Sequence, residues 1–414
     1  MFLLGRFLRK FVRAGRLTIV TRRGEVFEFG PANVDAKAVT VLFKDRWLPL
    51  KLALNPDLYL GEAYMNGALD IMDGSIWDLL ELFGKNFELL RPPRRGAWAT
   101  PVFWLLHRVT QWNSARRARR NVAHHYDLGR DLYESFLDRD LQYSCAYFPS
   151  PDTTLDDAQA AKRTHLAGKL LLRRNLRVLD IGSGWGGLAI DLAQRAQVRV
   201  DGVTLSQEQL KVAAERAEQA ALASEVRFRL EDYRALTGHY DRIVSVGMFE
   251  HVGTPFYPTF FAKISEILAP DGVAVVHAIG SRDGPGVGNA WIRKYIFPGG
   301  YIPALSEVLP AIEQSGLVVT DIEILRLHYA QTLRLWRERF LANWDMLKRR
   351  YDERFRRMWE FYLAASEMSF RYMGLFVFQL QLAKDQEAVP LTRDYLYAFE
   401  HPARTEPEAE HCAA

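Results

Sequence analysis

Apolar and polar positions change period several times along the chain, and each change marks an element. Leu4, Phe7, Leu8 and Phe11 recur at helical spacing, with Arg6, Arg9, Lys10 and Arg13 opposite them and no acidic residue before Glu25. This predicts a short basic amphipathic helix, suited either to an anionic membrane surface or to covering its own domain core. Strand-like runs follow over 16–21, 26–29 and 39–43, and helical segments take over from Pro56. Together they predict a small N-terminal α+β domain. From Asn121 apolar, β-rich runs at 177–181, 198–204, 226–230, 242–247 and 273–279 alternate with helical stretches such as 207–221 and 258–268. That alternation predicts an α/β unit with a parallel sheet covered on both faces. Another strand is predicted at 318–325 and a last one at 376–383, with two long helices, 330–348 and 352–373, inserted between them as a lid. The expected organisation is a lipid- or membrane-associating domain over 1–115, a catalytic domain over 121–390 and a flexible tail over 398–414. No internal repeat is present.

Composition narrows the picture modestly. Of 414 residues 49% are hydrophobic and 25% charged, as expected of a globular chain. A net charge of +4 is too small to point to a nucleic-acid partner. A basic run at 116–120 follows Trp98, Phe103, Trp104 and Trp112. It reads as a solvated positive face or as a phosphate-facing patch near lipid. Cys145 and Cys412 are the two cysteines, too few for a disulfide framework or metal cluster, so no metal is expected. No apolar run is long enough to span a bilayer, and the N-terminal apolar stretch is broken by arginines, unlike a secretory signal. The expected location is cytoplasmic, peripheral to the inner face of the cell membrane.

The most informative run is Val178-Leu179-Asp180-Ile181-Gly182-Ser183-Gly184-Trp185-Gly186-Gly187. A strand ends in a glycine-rich turn from which a helix starts, placing free N–H groups and a bare backbone beside a ligand. A dinucleotide site would want a carboxylate at the tip of the second strand, about 20 residues on. Here that strand ends Val203-Thr204-Leu205-Ser206-Gln207. An acidic residue just before a GxGxG turn favours S-adenosylmethionine, with Asp180 suited to its amino group. Asp232 and Tyr233, after the third strand, suit the exocyclic amine and the face of adenine.

Further motifs occur in one order: Tyr126-Asp127-Leu128, Gln142-Tyr143-Ser144-Cys145-Ala146-Tyr147-Phe148, the glycine turn, Val203 to Gln209, Met248-Phe249-Glu250-His251-Val252-Gly253, Trp291 to Gly300, and His328-Tyr329. Over about 121–384 the chain resembles the cyclopropane-fatty-acyl-phospholipid synthases and the related mycolic acid cyclopropane synthases. The N-terminal region resembles the extra domain of the phospholipid enzymes more loosely. The resemblance implies a Rossmann-like S-adenosylmethionine-dependent methyltransferase fold. It implies Tyr143 and Ser144 against the cofactor, Gly182 and Gly184 under its methionine part, Gly186 among the cofactor-binding residues, and Thr204, Leu205 and Gln209 toward ribose and adenine. It further implies a bicarbonate pocket of Cys145, Glu250, His277, Ile279 and Tyr329. The expected partners are phospholipid acyl chains at an anionic membrane surface, and a second copy in a homodimer.

The implied chemistry is methyl transfer to an alkene, then loss of a proton from the new methyl group to close a ring. The first step needs proximity and a dry, aromatic-lined tunnel that protects a carbocation, and the second needs a base. Taken by residue type alone, Cys145 would be a small buried hydrophobe, His277 a core histidine and Glu250 a helix cap. Methyl transfer without ring closure, amine methylation and a non-catalytic lipid binder are the competing functions. Intact pocket residues speak against the first and the last.

Overall fold

Two sheets organise the molecule, and the way the chain passes between them sets the site. The computed structural model describes residues 1–31, 38–90 and 129–401. The N-terminal part runs α1 (Phe2–Phe11), β1 (Arg16–Thr21), β2 (Val26–Phe29), β3 (Ala38–Phe43), α2 (Leu48–Leu54), α3 (Pro56–Met65), β4 (Leu69–Asp73) and α4 (Ile76–Leu89). Its sheet has the order β2-β1-β3-β4, with β1 and β3 parallel and both outer strands antiparallel to their neighbours. Alternation buries Leu17, Ile19, Val39 and Val41 on one face. β4 was not anticipated: Leu69-Asp70-Ile71-Met72-Asp73 carries two carboxylates and reads poorly as a strand.

The larger part begins with α5 (Arg130–Phe136) and α6 (Leu155–Lys169). Then come β5 (Arg177–Ile181), α7 (Gly187–Ala196), β6 (Arg199–Thr204), α8 (Gln207–Gln219), β7 (Val226–Leu230), β8 (Tyr240–Val246), α9 (Tyr257–Ile267) and β9 (Leu268–Ser281). It closes with α10 (Ala290–Tyr295), α11 (Leu305–Glu313), β10 (Val318–Ile324), α12 (His328–Ala342), α13 (Trp344–Leu347), α14 (Glu353–Tyr372), β11 (Leu375–Ala383) and α15 (Asp394–Glu400). The seven-stranded sheet has the order β10-β11-β9-β8-β5-β6-β7. The five strands read as parallel from sequence, β5 to β9, are parallel, and β11 alone runs against the rest, antiparallel to both β9 and β10. Register gives the reason. Ile324 at the end of β10 pairs with Phe378 near the start of β11, so the inserted helices return the chain to the edge it left and the next strand must run back.

The inserted helices also differ from a simple lid. α14 packs against α12 on one side and against α3 and α4 on the other. Trp336, Phe340, Trp359 and Glu367 within the insertion are essentially inaccessible to solvent. The Glu367 carboxylate accepts from Trp77 Nε1 of α4 at 3.0 Å, Arg371 Nε at 2.8 Å and Arg337 Nη2 at 3.3 Å. Tyr64 Oη donates to Glu360 at 2.9 Å. The insertion is therefore an internal layer, with one core running from Leu4 and Leu8 through Trp359 to Val377. In α1, Leu4 and Leu8 point into that core while Phe2, Leu3 and Phe7 are exposed. Tyr126-Asp127-Leu128, the tryptophan-rich and basic stretch before it, the turn or linker near 92–96, Cys412 and the tail beyond 401 lie outside the described residues.

Candidate active site

The carboxyl ends of β5, β6 and β8 face one edge of the sheet, where open α/β folds bind ligands. A cleft there is lined by Tyr143, Ser144, Asp180, Gly182, Gly184, Thr204, Leu205, Gln209, Asp232 and Tyr233, all singled out from sequence. Gly186 is the exception. It caps α7 in a left-handed conformation, and a Cβ there would meet Phe228 at 2.8 Å and Ala213 at 2.9 Å. Its role is close packing of α7 and α8 on the sheet, not contact with a ligand. A Cβ on Gly184 meets nothing within 4 Å, so that position opens onto the cleft.

The cleft's polar groups fit a cofactor bearing an ammonium group and hydrogen-bonding edges. Asp180 Oδ2 and Ser183 Oγ are buried without a hydrogen-bond partner among the described residues. Burial pushes the Asp180 carboxyl up to about 7, against the pull of the nearby Lys162 charge. An ammonium group would satisfy that orphaned acceptor and restore its charge. Gln209 Oε1 accepts from Thr204 Oγ1 at 2.9 Å, which fixes both at the tip of β6. Asp232 is more committed than its sequence position implies: Arg234 binds both of its oxygens, at 2.8 and 2.7 Å.

Lys162 was not anticipated. It is wholly buried in α6, and its ammonium donates to Gln142 Oε1 at 2.6 Å and Ser144 Oγ at 2.9 Å. Burial pushes it down to about 7. It holds the 142–144 segment against the cleft from behind. A lysine on a helix of mixed polarity ordinarily reads as solvated, so nothing in its own sequence position marks it.

Beside the cleft lies a second, larger cavity of about 950 Å³, and the two share Tyr143, Ser144, Gly247 and His251 as a common wall. Cys145, Glu250, His277, Ile279 and Tyr329 all line this cavity, so the fold gathers the five from separate elements. Glu250 Oε1 accepts from Ile279 N at 2.7 Å, while Oε2 is buried without a partner among the described residues. Burial pushes the Glu250 carboxyl up to about 7. His277 is neutral, its pKa driven well down by burial. Gln379 Nε2 lies 3.1 Å from His277 Nδ1 and donates to it, leaving Nε2 to carry the ring proton. Tyr329 packs edge-on against Trp336 and beside Phe370. Burial pushes the Cys145 thiol far up, and it donates to Ala146 O, so it is no nucleophile.

Aromatic side chains wall the junction. Tyr143 stacks on Trp336 with centroids 5.2 Å apart, and its hydroxyl is 2.7 Å from that of Tyr362 on α14. Beyond the junction the cavity becomes apolar, running past Leu17, Val41, Leu79 and Phe83 of the N-terminal layer to Leu4 and Phe7 of α1.

Comparison with known proteins agrees with this geometry. Residues 113–380 match the family described as mycolic acid cyclopropane synthetase. The chain is 42% identical over 280 residues to the cyclopropane-fatty-acyl-phospholipid synthase of Escherichia coli strain K12, covering 68% of this chain and 72% of that protein. It is 34% identical over 391 residues to a probable fatty acid methyltransferase of Pseudomonas putida, covering 90% and 94%. Among solved structures, mycolic acid cyclopropane synthase CmaA1 complexed with SAH and CTAB is 32% identical with a TM-score of 0.60, over 64% of this chain and 97% of that one. A Rossmann-like sheet, a glycine cleft suited to S-adenosylmethionine and these relatives converge: the chain belongs to the mycolic acid cyclopropane synthetase family of S-adenosylmethionine-dependent methyltransferases.

Proposed function

We propose that this enzyme transfers a one-carbon unit from S-adenosylmethionine to the cis double bond of an unsaturated acyl chain in a membrane phospholipid, and closes it to a cyclopropane. The observation that carries this reading is the shared wall: a cofactor cleft abuts a long apolar cavity at Tyr143, Ser144, Gly247 and His251. When bound, S-adenosylmethionine supplies an electrophilic methyl group, and bicarbonate supplies a base for the proton lost on ring closure. Asp180, Gly182 and Gly184 would hold the first, and Glu250, His277 and Tyr329 the second.

The chain's own residues do the rest. The aromatic junction of Tyr143, Tyr329 and Tyr362 excludes water and presents π-faces to developing positive charge. His277 Nε2–H offers a neutral donor to an anion. Glu250, pinned by Ile279 N, points its second oxygen into a dry pocket, where a carboxyl near its titration point can hold or accept a proton. Membrane association at an inner-leaflet surface fits α1, whose Phe2, Leu3 and Phe7 are exposed beside Arg6, Arg9 and Lys10. No helix among the described residues is long and apolar enough to cross a membrane.

A second reading, methyl branching without ring closure, is favoured by the similarity to the Pseudomonas putida protein, which extends over nearly the whole chain. One experiment separates the two. The enzyme is incubated with methyl-labelled S-adenosylmethionine, bicarbonate and vesicles of a mono-unsaturated anionic phospholipid, and the released acyl chains are analysed by mass spectrometry and proton NMR. High-field ring protons with loss of the alkene establish cyclopropanation, and a labelled branch establishes the alternative. Label in no lipid overturns both. Glu250→Gln is expected to lower ring formation by about 10²–10³-fold while leaving cofactor binding, measured by calorimetry, unchanged.

A further inference from the structure

Four side chains have contradictory surroundings. Leu3 and Phe7 of α1, Leu54 at the end of α2 and Val287 in the loop between β9 and α10 all line the acyl cavity. Yet they are 60%, 57%, 74% and 76% exposed. A side chain that faces both an internal cavity and bulk solvent stands where that cavity opens. The elements involved are neighbours, since α1 packs on α2, α2 on α3 and α3 on α10. The opening is therefore rimmed by apolar groups from at least three separate stretches of chain, of which α1 is only one.

The loop that carries Val287 reads Gly284-Pro285-Gly286-Val287-Gly288, a single branched apolar side chain set among glycines. Gly284, Gly286 and Gly288 line the cavity with it, as does Arg293 one turn into α10. Arg293, like Arg6, Arg9 and Lys10 of α1, forms no ion pair with any described residue. Asp57 and Asp283 also line the cavity, so the opening carries both signs and charge alone would not anchor it. What distinguishes the rim is exposed apolar surface continuous with an apolar interior, which water solvates poorly and a hydrocarbon layer solvates well.

We infer that Leu54 and Val287 form a second membrane anchor beside α1, and that Arg293 contacts the phosphate of the lipid whose acyl chain enters there. This rests on the acyl-transfer reading above, and it assigns to that site the surface through which its substrate arrives. The occupant is a bilayer rather than a protein because the rim is continuous with a cavity long and apolar enough for an acyl chain, and because α1 adds three cations and no carboxylate. A headgroup left at the mouth while its chain is threaded inward would place its phosphate at rim height, within reach of a guanidinium that can bind it through two N–H groups.

The test uses the full-length enzyme and measures binding separately from turnover. Leu54→Ser/Val287→Ser is expected to weaken co-sedimentation with phosphatidylglycerol-containing vesicles by at least about tenfold. It is expected to lower turnover on vesicles in parallel, and to lower turnover on the same lipid dispersed in detergent micelles by far less. Arg293→Gln is expected to lose several-fold in binding to anionic vesicles and little in binding to uncharged detergent micelles. Both substituted apolar residues are solvent-exposed, so an unchanged melting temperature serves as the folding control. Unchanged vesicle binding in the double variant overturns the inference, as does an equal loss on vesicles and micelles, which would place the two residues in the reaction cavity alone. A changed oligomeric state with unchanged vesicle binding assigns the rim to a protein contact and also overturns it. If the unaltered enzyme labels no lipid at all, the acyl-transfer reading fails, while sedimentation still decides whether this surface docks.

Discussion

A methyl group added at Gly184 and one added at Gly186 would meet opposite surroundings, and the contrast separates ligand contact from packing. At Gly184 it enters the open cleft, whereas at Gly186 it strikes Phe228 and Ala213. Gly184→Ala is expected to weaken S-adenosylmethionine binding by about tenfold with about 1 kcal/mol lost from stability, the cost of a left-handed alanine. Gly186→Ala is expected to lose about 2–4 kcal/mol of stability from overpacking added to that strain. Chemical denaturation and calorimetric titration of both variants check this. The chain announces both glycines in one motif, and only the three-dimensional surroundings tell them apart. Much of the rest of the site was legible at this scale because its residues sit in ordered motifs, such as Gln142 to Phe148 and Met248 to Gly253. Lys162 was not, because its significance comes from Ser144 and Gln142, which are distant in sequence and reach it only after α6 folds under the cleft.

At the scale of elements, the parallel strands were readable because burial on both faces leaves continuous apolar runs, as in Val273 to Val276. The direction of β11 was not, since an apolar run looks alike in either orientation. The role of α14 was hidden for a related reason. Its arginines and glutamates suggest a solvated face, yet Glu360 and Glu367 bond to Tyr64 and Trp77 of a layer that sequence could not place above it. α15 is fastened in a comparable way. His165 of α6 bonds Glu323 of β10 through Nε2 at 2.6 Å and Glu400 of α15 through Nδ1. Lys169 also reaches Glu323, at 2.5 Å. Burial opposes charge on His165, but the two carboxylates outweigh it and raise its pKa. Burial likewise opposes charge on Glu323, and the His165 and Lys169 bonds overcome it, holding Glu323 at about 2. The His165 contribution is complete below its unfolded value of about 6.5 and is lost as pH rises through the raised folded value. The Glu323 contribution is present above about 4.5 and is lost as pH falls through about 2. Amide protection of Asp394–Glu400, after correction for intrinsic exchange, is therefore expected to fall on the alkaline side of pH 6.5, and His165→Phe should flatten that dependence. Hydrogen exchange across pH 6 to 9 measures it.

For the whole molecule, the N-terminal layer completes the acyl cavity rather than standing apart from it. Leu17, Val41, Leu79 and Phe83 from that layer face the same space as Glu250 and His277. Ala365 of α14 is among the residues that line it. Ala365→Phe is expected to obstruct it there, lowering turnover of long-chain lipids by about tenfold more than that of short-chain lipids, with cofactor affinity unaltered. Competition between vesicle lipids of two chain lengths reports the ratio. No such dependence on length would mean that the chain lies elsewhere.

The partition between the two chambers also has a kinetic meaning. The cofactor cleft and the acyl cavity have separate linings and meet only at Tyr143, Ser144, Gly247 and His251. Neither occupant has to pass through the space of the other. Donor and acceptor can arrive in either order, and a spent donor can be exchanged while the hydrocarbon stays threaded. Initial-rate plots should then intersect rather than run parallel, and a single lipid can wait in place through several donor encounters. On the acyl-transfer reading proposed above, an alkene already threaded can meet a fresh donor without having to be bound again.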